Sequence, residues 1–196
     1  MVRIAPFRAL RYNPEKISFI SRVVAPPYDV IGPGEAEALR KKDPHNVIRL
    51  ILGLSGPAGR GDRHYLAAAE TLRAWRRQGV LLLDEPAVYL CEQSFELHGR
   101  TFTRRGFSFA MLLEEPATGN VLPHEQTTPG PKADRLRLMK ACRACLSQVF
   151  GIVADADARV QALAQAAGND EPLYEFQTPE RVTYRLWKVR DAHTIQ

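Results

Sequence analysis

The chain has 196 residues, a hydrophobic fraction of 45% and a formal net charge of +5 at pH 7. That length suits a single domain with a sizeable core. No apolar run approaches the roughly 20 residues that a membrane-spanning helix needs, and the N-terminus lacks the apolar region of a signal peptide. We therefore expect a cytoplasmic protein with no membrane partner. Its basic residues form no long block, which does not favour a nucleic-acid partner but permits one.

The first half of the chain predicts short strands alternating with helices. Residues 2–10 resemble a strand, and residues 34–42 predict a helix because acidic residues come first and basic residues last. The continuous apolar run at 46–53 has the length of a strand. Asp62 then precedes an amphipathic stretch that ends at Gly79, which predicts a second helix with Asp62 as its cap.

A strict period of two predicts a β-hairpin in the middle of the chain. Apolar residues alternate with polar ones from Tyr89 to Leu97, and a second such strand follows the turn at 98–100. Beyond residue 170, another hairpin is expected to pair residues 172–177 with residues 181–189.

The intervening region predicts two helices with a strand between them. An apolar stripe of Leu136, Met139, Cys142 and Leu146 indicates the first helix, residues 149–153 resemble a strand, and Asp155 or Asp157 caps a helix that ends near Gly168. The whole pattern predicts one α+β domain over residues 1–196, with a mixed, largely antiparallel sheet and about four helices packed on it. The oligomeric state stays open.

The segment from Pro123 to Leu138, PHEQTTPGPKADRLRL, concentrates chemically useful side chains. His124 and Glu125 are adjacent in a predicted loop, where a histidine exchanges protons near neutral pH and a carboxylate binds a metal or acts as a base. The Pro-Gly-Pro sequence that follows predicts a helix start, since Pro131 suits a first helical turn. Free N–H groups at a helix start bind anions readily.

Cations accompany this predicted helix start. Lys132 and Arg135 are three residues apart and therefore neighbours on the helix surface. With Thr127 they are candidate cofactor-binding residues, and Asp134 either complements the helix dipole or holds Arg135 in place. The same pattern also fits a simple loop-to-helix cap with solvated polar residues, so the residues alone leave both interpretations open.

A second candidate segment is APPYDVI, residues 25–31. Its two prolines stiffen the backbone and present Tyr28 and Asp29 in a fixed geometry. Asp29 can then bind Mg²⁺ or a substrate amine or hydroxyl. The alternative is a structural turn in which Asp29 accepts hydrogen bonds from backbone N–H groups.

Taken in order, these segments resemble the N-terminal portion of the domain of unknown function 1015 family. The resemblance rests on residues 4–11, 24–31, 43–50, 79–96, 104–107, 123–136 and 149–153, together with Trp75. One departure lies at residues 144–150, ACLSQVF, where the family favours an Asn-aromatic-Ser-Pro-Ile-Phe type of sequence. Family members are typically longer, so we expect this chain to be the N-terminal half of a longer protein.

The resemblance implies a function that this chain would perform only in part. Family members carry a downstream Asp-Gly-His-His-Arg type of motif, which this chain lacks and which is similar to the active-site segment of ParB/sulfiredoxin-like free-serine kinases. The implied activity is phosphoryl transfer from ATP or ADP, with Mg²⁺, to a small hydroxy amino acid. Lys132 and Arg135 would then hold phosphate, Glu125 or Asp29 would hold the metal or substrate, and His124 would move a proton.

Two alternatives remain open at this stage. The first is a ParB-like regulatory module that binds nucleotide or DNA, for which the basic charge leaves room. The second is a metal-dependent phosphoester hydrolase in which His124, Glu125 and Asp29 surround the metal. The candidate catalytic residues are thus His124, Glu125 and Asp29, and the candidate cofactor-binding residues are Lys132, Arg135, Thr127 and Tyr28.

Overall fold

The protein is described by a computed structural model that covers residues 2–52, 62–115, 120–123 and 127–189. Its helices and strands, in chain order, are β1 (Ile4–Ala5), β2 (Leu10–Tyr12), α1 (Ile20–Val23), α2 (Pro33–Lys42), α3 (Ile48–Ile51), α4 (Arg63–Arg77), β3 (Leu81–Leu83), β4 (Val88–Leu97), β5 (Arg100–Ser108), β6 (Ala110–Met111), α5 (Pro129–Cys142), α6 (Arg159–Ala167), β7 (Tyr174–Gln177) and β8 (Thr183–Val189). Antiparallel strand pairs and separate helices make this an α+β fold, as predicted.

The chain divides into two compact units. The sheet unit comprises Met1–Leu10, Leu83–His124 and Ile152–Gln196, and the helical unit comprises Arg11–Leu82 and Glu125–Gly151. The expectation of a single domain over residues 1–196 stays a prediction.

The sheet unit is built on four antiparallel strands in the order β5-β4-β8-β7. Because side chains alternate between the two faces of a strand, one face of β4 carries Val88 and Leu90, which are almost fully buried. Trp187 and Val189 of β8 join them, and Ala164 of α6 packs against this cluster. Both predicted hairpins are confirmed, β4 with β5 and β7 with β8.

Farther along the same face, charged residues cross all four strands. Glu92 of β4 lies directly opposite Arg105 of β5 and Arg185 of β8, and Arg185 lies opposite Glu175 of β7. Arg105 Nε donates to Glu92 Oε2 at 2.7 Å, Arg185 Nη1 donates to Glu92 Oε1 at 3.0 Å, and Arg185 Nε donates to Glu175 Oε2 at 2.7 Å. We call these four residues the charge row. Opposite charges alternate along it, so each neighbouring pair attracts.

The helical unit packs α4 against α5 and folds α2 and α3 around a second cluster. Tyr65 and Ala68 of α4 contact Leu138 of α5 in the first cluster. Ala36 of α2 and Ile48 and Ile51 of α3 form the second cluster. The predicted helices over 34–42 and between Asp62 and Gly79 are confirmed as α2 and α4, although Asp62 makes no side-chain cap.

The strand predicted at 46–53 is wrong, because Asn46 starts a helical turn there. Its side chain is fully buried, and its amide donates to the carbonyls of Arg22 at 2.7 Å and Val24 at 3.0 Å. Its Oδ1 accepts the N–H of Ile48 at 3.0 Å, which fixes the first turn of α3. A short apolar run that is buried on several sides does not distinguish strand from helix by its period.

Three other sequence predictions need correction. Residues 149–153 form no strand, and their apolar side chains are exposed, with Val149 at 94% and Ile152 at 89%. The strand predicted at 2–10 is reduced to the two residues of β1, with β2 beginning at its end. The predicted helix is confirmed as α5, but its buried residue is Leu138, while Leu136 and Met139 of the predicted apolar stripe are about half exposed, at 49% and 45%. Asp155 does cap α6, accepting the N–H groups of Val160 and Gln161.

Candidate functional site

The predicted site residues fall into three groups. His124 and Glu125 lie outside the described residues. Asp29, Thr127 and Lys132 are exposed. Tyr28 and Arg135 are partly buried and in contact with each other, although more than a hundred residues separate them in the sequence.

Tyr28 and Arg135 meet because a tight turn lifts Tyr28 toward α5. The N–H of Val30 donates to the carbonyl of Pro27 at 3.2 Å, which closes the turn that carries Tyr28 and Asp29. The Tyr28 ring also packs against the cluster of Ala36, Ile48 and Ile51. Its outer face lies 4.2 Å from the guanidinium carbon of Arg135, a cation–π distance.

Asp134 holds the other side of the Arg135 guanidinium. Arg135 Nε and Nη2 both donate to Asp134 Oδ2, at 2.9 and 2.5 Å. The hydroxyl of Tyr65 donates to the second oxygen, Oδ1, at 2.6 Å. Burial opposes ionisation of Asp134, but the hydrogen bonds from Tyr65 and Arg135 outweigh it and hold the pKa of Asp134 below its usual value. Asp134 therefore stays charged and fixes the position of Arg135.

One donor of Arg135 finds no partner in the part of the chain that the structure describes. Its Nη1 is buried and has no hydrogen-bonding partner among the described residues. The other two guanidinium nitrogens are committed to Asp134, and the ring of Tyr28 covers one face. An unpaired buried N–H group of a charged side chain is costly. Such a donor points to a group that the described residues do not supply.

A small cavity of about 30 Å³ adjoins this guanidinium. It is lined by Arg135, Leu138, Met139, Cys145, Leu146 and Ser147. That volume fits one or two water molecules, so it does not hold a nucleotide.

The start of α5 contributes less to anion binding than its sequence suggests. Thr128 is the N-cap, and the first three helical residues are Pro129, Gly130 and Pro131. Proline has no N–H group, so Gly130 is the only donor among the three. The N–H of Lys132 is directed at the carbonyl of Thr128 at 3.5 Å. The backbone at the start of α5 therefore offers an anion few free N–H groups.

Sequence reasoning did not identify Tyr65 and His64 of α4. Tyr65 lies in the amphipathic stretch that predicts α4, which accounts for its buried ring, but its hydroxyl also anchors Asp134. His64 Nε2 lies 4.0 Å from Asp134 Oδ1, and its ring lies 3.7 Å from that of Tyr65. A buried tyrosine needs a partner for its hydroxyl, and this need is the one sign in the sequence that Tyr65 does more than pack. The sequence does not show which residue that partner is, because Asp134 is 69 positions away.

The described residues hold no group of three or more His, Cys, Asp or Glu side chains able to coordinate a metal. His124 and Glu125 lie outside these residues. In the same part of the chain, each helix is too short or too polar to cross a membrane.

Comparison with known proteins identifies the family. No curated protein and no solved structure matches the chain. A family model for proteins of unknown function, DUF1015, matches residues 4–196. That match spans both units and includes Tyr28, Asp134 and Arg135. The chain belongs to the DUF1015 family of proteins of unknown function.

Proposed function

We propose that the helical unit binds the phosphate of a small molecule through Arg135 and forms part of a phosphoryl-transfer site. The observation that supports this proposal is the buried, unpartnered Nη1 of a guanidinium whose other nitrogens are already fixed. A phosphate oxygen matches this donor in charge and in hydrogen-bonding character. Lys132 and Thr127 are exposed on the same segment and extend the site toward solvent.

The fixed position of Arg135 favours binding over a purely structural role. A guanidinium held by Asp134 and Tyr28 loses little conformational freedom when a ligand arrives, so more of the interaction energy appears as affinity. Phosphoryl transfer depends mainly on positioning and on neutralising charge. A pre-positioned cation serves both needs.

The substrate class rests on the family resemblance. We propose that ATP or ADP, with Mg²⁺, is the phosphoryl donor and a small hydroxy amino acid the acceptor. Asp29 is exposed on the turn that presents Tyr28, where it is accessible to the metal or to the acceptor's amine. His124 and Glu125 complete the proposal as proton-transfer and metal-binding groups.

Calorimetric titration tests the phosphate-binding step. With the intact chain, ADP plus Mg²⁺ and inorganic pyrophosphate should both bind. Arg135→Ala should weaken binding about 10- to 100-fold, as expected for losing a hydrogen bond to a charged group. Arg135→Lys should lose part of the affinity for both ligands, since lysine keeps the charge but lacks the planar, forked guanidinium.

Lys140→Ala is the matched control, because Lys140 is an exposed cation in the last turn of the same helix. The Lys140→Ala variant should bind ADP and pyrophosphate with the same affinity as the unmodified chain. Equal affinities for the unmodified chain and Arg135→Ala would contradict the proposal.

A separate assay tests the transfer step. ATP and serine should yield phosphoserine and ADP with the full-length protein, measured by phosphorus NMR, and Asp29→Asn should reduce the rate. Pyrophosphate binding without any transfer would leave the phosphate site standing and remove the kinase activity.

A further inference from the structure

The sheet unit has a face that none of its described helices covers. The helix α6 packs on the face that carries Leu90 and Trp187, and it is the one helix of this unit within the described residues. The opposite face, here called the aromatic face, presents the other half of each strand's side chains. Cross-strand register assigns to it the row Phe102–Phe95 and the row Arg104–Gln93–Tyr184–Phe176.

Two stacked aromatic pairs form the centre of the aromatic face. The rings of Phe95 and Phe102 are 6.0 Å apart and inclined by 22°, and those of Phe176 and Tyr184 are 5.1 Å apart and inclined by 3°. Phe102 is 44% exposed, and the other three are partly buried. The two pairs lie in neighbouring rows, because Gln93, two residues before Phe95, is opposite Tyr184. Two residues along a strand correspond to about 6.5 Å.

The charge of the aromatic face is entirely of one sign at its strand positions. Arg104 lies 6.0 Å from the centre of the Phe95 ring and donates to the side chain of Gln93, while Arg100 is exposed at the hairpin end. Lys188 also belongs to this face and is paired with Asp84 at 3.6 Å. Among the described residues of β4, β5, β7 and β8, no acidic side chain lies on the aromatic face. The charge row, with both signs, lies on the other face.

We propose that the aromatic face binds single-stranded nucleic acid. Arg100 and Arg104 are the exposed cations that match a phosphate backbone, and the exposed ring of Phe102, with the partly buried rings beside it, offers a surface on which bases stack. A duplex buries its bases within its own stack and so gains nothing from these rings. An acidic peptide would pair with the arginines but has no planar groups for the phenylalanines. The combination of stacked rings and one sign of charge therefore favours a single strand.

Fluorescence anisotropy with labelled twelve-nucleotide oligo(dT) and oligo(U) measures the affinity of the intact chain for a single strand. Phe102→Ala should raise the dissociation constant about 5- to 100-fold, the effect expected for removing one stacking ring. Phe102→Leu, which keeps the apolar volume on the strand, should show a similar loss. Arg104→Ala should lower the slope of log affinity against log salt by about 0.7, the value for one backbone contact to a single strand.

Matched controls lie in the helical unit. Phe19 is 67% exposed, and Arg77 is exposed at the end of α4. Phe19→Ala and Arg77→Ala should leave the affinity for oligo(dT) unchanged, and thermal unfolding of every variant should confirm that it is folded.

Several outcomes would overturn the proposal. These are no binding at low salt, equal affinity for a duplex of the same length, full competition by poly-glutamate, or unchanged affinity in both Phe102 variants. Since Arg135 is not on this face, loss of pyrophosphate binding in Arg135→Ala and loss of oligo(dT) binding in Phe102→Leu are independent results.

Discussion

The charge row of the sheet unit and the Arg135 group of the helical unit differ in how fully their hydrogen-bonding groups are used. In the charge row, both oxygens of the buried Glu92 accept from arginines, and Arg185 also reaches Glu175. In the helical unit, Asp134 likewise accepts from Tyr65 and Arg135, but one buried donor of Arg135 has no partner among the described residues. A satisfied network stabilises the fold, whereas a buried donor without a protein partner is left for water or a ligand to satisfy.

The largest expected effect comes from breaking the charge row at its centre. Glu92→Ala should lower the free energy of unfolding by about 2–4 kcal/mol, since it removes two charge-assisted hydrogen bonds and leaves two guanidinium groups facing each other. Glu92 is only 7% exposed, so water does not replace the lost carboxylate. Urea unfolding measures the loss.

Glu175→Gln is the matched control within the same row. Its side chain is 53% exposed, so the pair with Arg185 is largely solvated, and its loss should lower the free energy of unfolding far less than the loss of Glu92 does. Equal losses of unfolding free energy in Glu92→Ala and Glu175→Gln would show that burial does not set the strength of the charge row. The charge row would then not differ from the Arg135 group as a buried, fully paired network.

The sheet unit was far easier to predict from sequence than the site of the helical unit. Period-two alternation in β4 and the turn at His98–Gly99 identify the hairpin, because local spacing alone determines which residues share a face. The register of Glu92 opposite Arg185 does not follow from spacing, since the two residues are 93 positions apart in the sequence.

The candidate site depends on contacts that no local pattern encodes. The sequence identified Tyr28 and Arg135 separately, from a rigid proline turn and a helix start, but their 4.2 Å contact comes from tertiary packing. The apolar pattern of α4 predicts that the ring of Tyr65 is buried, but it does not predict the partner of the Tyr65 hydroxyl. The strand prediction at 46–53 is wrong for the same reason, because the buried Asn46 side chain donates to the carbonyls of Arg22 and Val24, which lie more than twenty positions earlier.

An intermediate effect, dependent on pH, is expected at Asp134. Because its pKa is lowered in the folded protein, its ionised form stabilises the fold above the unfolded-state pKa of about 3.9. This stabilisation is lost as the pH falls through the lower folded-state value. Asp134→Asn should therefore cost on the order of 1 kcal/mol at pH 7, discounted for partial exposure, and progressively less below about pH 4.

Urea unfolding at pH 7 and pH 3 measures this dependence. Asp29→Asn, which changes an exposed carboxylate of the same unit, should alter the free energy of unfolding little at either pH. A gap between Asp134→Asn and the unmodified chain that is the same at both pH values would mean that ionised Asp134 does not hold Arg135.

The smallest expected effect concerns the ring of Tyr28. Tyr28→Leu keeps apolar contact with Ala36, Ile48 and Ile51 but removes the cation–π contact, so the free energy of unfolding should fall by about 0.5–1 kcal/mol. The loss of pyrophosphate affinity should exceed this change in stability, because Arg135 then has to be ordered when the ligand binds. Tyr28→Phe keeps the ring face and should match the unmodified chain in both measurements. If Tyr28→Phe lost as much affinity as Tyr28→Leu, the hydroxyl of Tyr28 would contact the ligand, and the ring would not be what positions Arg135.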